Sequence, residues 1–174
     1  MKRFIMFVAY LLALAAVILF ASCKKITTAP EAAVRAMCAA EISLPSGNLY
    51  YTDAPEGSEN HLPTALLADA FGIPVGFDGI EKAAIRLSSG GHPTEFAVFL
   101  CKDANSAEDV SLFCKNRLRA LSLNAAFTSE MAEMSREEYD SYISSATVVI
   151  SGRYVALIIS SDTHVAKKAF LKAI

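Results

Sequence analysis

The chain has 174 residues, a formal net charge of -2, 53% hydrophobic residues, four cysteines and no tryptophan. So apolar a chain can bury enough surface to order itself, and its near-neutral balance provides no basic field for nucleic acid. Its length suits one domain with a core that needs neither metal nor disulfide staples.

Lys2 and Arg3 open the chain, and Phe4 to Ala21 follows as 18 residues without a charge. A basic start and an apolar middle make a secretory signal. It ends Phe20-Ala21-Ser22-Cys23. Small residues before a cysteine admit the peptidase, and the thiol is the point of acylation, so the segment resembles a bacterial lipoprotein signal with its lipobox. Phe20 stands where that pattern carries Leu, Val or Ile. Two other readings stay open: an uncleaved membrane anchor, since the run is long enough to span, and ordinary cleavage near Ala39-Ala40. All three place the remainder outside the cytoplasm. The expected organisation is a signal over 1–22, a lipidated Cys23 with a tether over 23–30, and one α+β extracytoplasmic domain over 31–174. Loss of Lys2 and Arg3 leaves 14 bases against 18 acids.

Helical spacing of Ala33, Val34, Met37 and Cys38 predicts a helix over 31–41. A Pro/Gly-rich loop over 45–61 surrounds a short strand at 48–52. A second short helix spans 62–71, with Gly72 as its natural C-cap. Residues 81–89 and 94–102 alternate as a hairpin about Gly90-Gly91-His92-Pro93. The returning strand is apolar on both faces, which predicts cover on both. Ser106, with Asp109 in the capping-box position, reads as the cap of a long helix whose inner stripe is Val110, Phe113, Cys114, Leu118 and Leu121. Residues 122–134 read ambiguously, and Ser135 with Glu138 opens another helix. A second hairpin, 146–151 and 154–160, turns at Gly152-Arg153. Asp162 caps a last helix over 163–174, whose Lys167, Lys168 and Lys172 suit the negative end of its dipole. The order is β-β-α-β-β-α after two short helices. It predicts one antiparallel sheet of two hairpins, with the two later helices on one face, the two N-terminal helices on the other, and the β-β-α halves as a structural pseudo-repeat.

With Cys23 acylated, Cys38, Cys101 and Cys114 remain, an odd number that argues against a disulfide framework. Cys101 and Cys114 read as small buried apolar residues, with a bridge between them geometrically conceivable. No spacing supports a zinc site, and no cofactor is indicated. His92 reads as an exposed turn residue. Ser160, Ser161, Asp162 and His164 lack the strained elbow and positioned base of a hydrolase, and capping accounts for Ser161 and Asp162. Ser88-Ser89-Gly90-Gly91 lacks the Gly-Lys-Ser/Thr of a phosphate loop and precedes a strand. Arg117, on the edge of its helix stripe and placed near Tyr139 or Tyr154, reads either as a packed stem with a wet head or as a clamp for an anion.

Glu95 to Asp103 leading into Val110 and Arg117, then Ala146 to Asp162 with its Gly152-Arg153-Tyr154-Val155 turn and the closing helix, resemble the bacterial lipoproteins grouped as domain of unknown function 4358. The resemblance covers about residues 30–173 and implies a lipoprotein signal, with no catalytic role for any residue. The sequence therefore predicts a non-enzymatic surface lipoprotein. Its membrane contact runs through Cys23, its partner is an envelope protein or peptide, and nucleic acid is not a partner. The alternative is a small-ligand receptor or enzyme with a pocket near Arg117, Tyr154 and His164.

Overall fold

A computed structural model describes residues 27–174, the side chains of 126–128 excepted. The signal segment and Cys23 lie outside the described residues. The elements run α1 (Pro30–Ala40), β1 (Gly47–Tyr51), α2 (Thr64–Phe71), β2 (Ile80–Ser88), β3 (Glu95–Cys101), α3 (Ala104–Leu123), α4 (Ala125–Met131), α5 (Arg136–Ser145), β4 (Thr147–Ser151), β5 (Tyr154–Ile159) and α6 (Thr163–Ala173). The fold is α+β.

The strands form one sheet in the order β1-β2-β3-β5-β4, every neighbouring pair antiparallel. The second strands of the two hairpins meet at its centre, Glu95 opposite Ile159 and Leu100 opposite Tyr154. All seven residues of β3 are buried, because helices cover both faces. On one face Ala97, Phe99, Cys101, Val155, Leu157 and Ile159 pack against α2 and α3, with Phe71 edge-on to Phe99 at 5.4 Å. On the other, Phe96, Val98, Leu100, Ala156 and Ile158 pack against α1 and α6 through Ala33, Val34, Met37, Ala166 and Phe170.

This layering corrects the expected one. The helices that follow the two hairpins, α3 and α6, lie on opposite faces, and each shares its face with one N-terminal helix. Two residues, Lys102 and Asp103, separate β3 from α3, whereas three, Ser160 to Asp162, separate β5 from α6. Successive strand positions alternate faces, so one extra residue sends the chain out on the other side. The pseudo-repeat fails for the same reason. A two-fold axis normal to the sheet relates adjacent antiparallel hairpins and keeps their helices on one face.

Local signals account for the ends. Asp103, not Ser106, caps α3: its carboxylate accepts from the Ser106 amide at 2.8 Å. The carboxylate of Asp162 accepts from the Val165 amide and starts α6. Gly72 ends α2 at a φ of 65°. Gly152 takes a φ of 60° at the first central position of the β4–β5 turn, where a two-residue hairpin favours glycine. Residues 125–131 resolve the ambiguous stretch as the short helix α4. Cys38, Cys101 and Cys114 are free thiols; Cys101 and Cys114 are buried in one core cluster, and burial pushes the Cys101 thiol up to about 11.

Candidate functional site

The features that carry chemistry gather at the end of the sheet where β2 turns into β3. Arg86, a buried residue of β2, donates through Nη1 to Ser88 Oγ at 3.0 Å and through Nη2 to the Pro45 carbonyl. Ser88 Oγ in turn donates to the Thr94 carbonyl at 2.8 Å. These bonds fix both stems of the hairpin. Burial holds the Arg86 guanidinium below its ordinary range. In the turn, His92 Nδ1 accepts the Thr94 amide hydrogen at 3.2 Å, and the imidazole meets the edge of Tyr142 with ring centroids 5.2 Å apart. His92 is thus half-buried and structural, not the exposed turn residue expected. Burial lowers its pKa, opposed by Glu138 and assisted by Arg86. Burial likewise raises the Tyr142 phenol.

Glu95 opens β3. It shares strand parity with Ala97 and Phe99 and so faces α3, where Arg117 waits two turns beyond the buried Val110. Glu95 is only 3% exposed. Arg117 Nη2 donates to Glu95 Oε2 at 3.0 Å, and Arg117 Nε to the same oxygen at 3.3 Å. The pairing is therefore not a fork on both oxygens. Glu95 Oε1 is buried without a hydrogen-bond partner among the described residues. An acceptor so placed is costly unless something fills it. Beside the pair lies a cleft of about 230 Å³, lined by Leu87, Ser88, His92, Glu95, Arg117 and Tyr139 among others.

The three residues expected to share a pocket do not share one. Arg117 is in this cleft, beside Tyr139 as one of its two expected neighbours. Tyr154 projects from β5 onto the opposite face, where its hydroxyl donates to the Thr28 carbonyl at 2.7 Å. The parity of β5 separates them, since Arg117 overlies the face of Val155, Leu157 and Ile159. His164 is exposed on α6, next to Lys167, Lys168 and Leu171. Ser161 Oγ donates to Glu41 Oε2 at 3.3 Å, and Ser160 is fully buried. Among the described residues, no group of three or more His, Cys, Asp or Glu is arranged to hold a metal ion.

Sequence reasoning missed Glu95 and left His92 and Tyr142 aside. The signal for Glu95 was present: one carboxylate in the run Glu95-Phe-Ala-Val-Phe-Leu-Cys101, on a strand covered on both faces, demands a cation or donor from the covering helix. No family model, no curated protein and no solved structure matches the chain.

Proposed function

We propose that the chain is an extracytoplasmic binding module, tethered by lipid at Cys23, that uses the Glu95–Arg117 cleft to hold an amide group of an envelope peptide. The observation that carries the reading is the buried Glu95 carboxylate, one of whose oxygens has no hydrogen-bond partner among the described residues, beside Arg117. Arg117 Nη1 makes no hydrogen bond among the described residues, so a carboxylate with a spare acceptor and a guanidinium with a spare donor both line one small cleft. An amide presents N–H and C=O side by side and fits that pair. A volume of about 230 Å³ is below that of pockets that enclose a drug-sized molecule. It suits one residue of an extended ligand. The basic start, uncharged run and Ala21-Ser22-Cys23 support lipid tethering, as does the resemblance to the lipoproteins of domain of unknown function 4358. Two acyl chains at Cys23 suffice as an anchor.

A photoreactive residue in place of Leu121, at the cleft, is tested in intact cells against one in place of Leu112, which is exposed on α3 away from it. The expected result is a peptide adduct at 121 that is absent at 112 and lost on Glu95→Gln. Identical adducts at both positions, or an adduct indifferent to Glu95→Gln, would overturn the assignment.

A further inference from the structure

Charge is unevenly spread over the described residues. Residues 27–174 carry 12 of the 16 Lys and Arg and all 18 acids, yet α6 has Lys167, Lys168 and Lys172 and no acid. Among the described residues none of these lysines makes an ion pair; Lys115 and Arg119 on α3 are likewise unpaired, but they share their helix with Glu108 and Asp109, whereas α6 has no acid. All three are exposed, and Leu171 between them is 45% exposed. The neighbouring helix α1 does not neutralise them, because its Glu31 is taken by Arg35 at 2.7 Å. Across the sheet, the exposed Glu108 and Asp109 of α3 are matched by Lys115 and Arg119, and α5 carries the exposed Glu137 and Glu138.

The start of the described chain sits at the end of this same helix. Thr27 lines one hollow with Leu171 and Ile174, and Tyr154 pins Thr28. Cys23 is four residues before Thr27, and four extended residues span at most about 14 Å. Leu171 also lines the adjoining groove with His164, Lys167 and Lys168. On an α-helix the step from Leu171 to Lys167 is about 6 Å along the axis. An acyl group at Cys23 therefore holds the α6 lysines close to the lipid head groups.

We propose that the exposed side of α6 is the surface by which the tethered domain lies against its own bilayer, with Lys167, Lys168 and Lys172 on anionic head groups and Leu171 in the interface; this rests on the lipid-tether reading and is independent of the cleft. Each lysine near an anionic surface strengthens contact by about five-fold. The net acidic helix α5, with Glu137, Glu138 and Asp140 against Arg136, opposes the inverted orientation, since anionic lipid repels it.

The test uses the full chain, purified from membranes and reconstituted in phosphatidylcholine vesicles with or without phosphatidylglycerol. A photoreactive residue replaces Leu171 or, as the control, Glu137. The expected result is a lipid adduct at 171 several-fold above that at 137. It falls several-fold when phosphatidylglycerol is omitted, and again in the variant Lys167→Glu, Lys168→Glu, Lys172→Glu. Equal lipid labelling at the two positions on an acylated chain overturns the orientation while leaving the tether standing. An adduct at 171 to a second copy of the chain overturns it in favour of self-association. Absence of acyl chains on Cys23, shown by mass spectrometry, overturns the tether reading and this one with it.

Discussion

Arg117 directs two donors at a single oxygen of Glu95, and that asymmetry sets what a substitution does. Removing Arg117 strands a buried carboxylate, so Arg117→Ala should cost about 2–4 kcal/mol, discounted from the fully buried case because the guanidinium reaches solvent. Replacing both partners by apolar residues of similar volume, Glu95→Leu with Arg117→Met, should restore most of that loss, since no unpaired charge remains. Urea midpoints of the single and double variants check this; a double variant as weak as Arg117→Ala would contradict it. His92 gives a prediction of pH dependence. Burial lowers its pKa from 6.5, so the unfolded chain binds the proton more readily than the folded one. The stabilisation is complete above that ordinary value and is lost as the pH falls through the depressed one. Protonation also displaces the Thr94 amide from Nδ1. Stability should therefore fall between neutral and mildly acid pH more steeply in the parent than in His92→Asn, which keeps an acceptor that does not titrate. Parallel curves would reject the role of His92.

Among the elements, α6 is held chiefly by its packing on α1. Its fully buried side chains are Ala166 and Phe170, and Phe170 packs against Ala33, Val34 and Met37 of α1. Phe170→Ala should cost about 3–5 kcal/mol by the cavity it leaves, whereas Leu112→Ala, on the exposed side of α3, should change stability little. Equal shifts in the urea midpoint would mean that the α1–α6 layer is not part of the cooperative core. The elements were largely legible in the chain. Alternation gave β2 and β3, the Gly152-Arg153 turn gave β4 and β5, and Asp162 marked α6. The start of α3 was misread because Ser106 and Asp109 match a capping box, while Asp103 supplies the oxygen and Ser106 only the amide. Which face each helix takes was not legible, because it turns on a one-residue difference between two linkers. The cleft was legible in part: Arg117 stood out by its place on the stripe edge. Tyr154 and His164 do not join it, because the face of the sheet that each takes is set by strand parity and linker length and not by residue type.

On the scale of the whole molecule, the sheet works as a partition. One side carries the Glu95–Arg117 cleft with α2, α3 and the acidic helix α5; the other carries α1, α6 and the start of the described chain. The two ends of β5 repeat the division, for Tyr154 pins Thr28 near the start of the described chain and Ile159 lies opposite Glu95. Six residues of antiparallel strand separate them by about 17 Å. Under the proposed tethering, the cleft then opens at the pole farthest from the lipid, facing outward into the surroundings of the cell. Whatever docks there can arrive on a long, bulky or immobile carrier, because it never has to thread beneath the domain to be received.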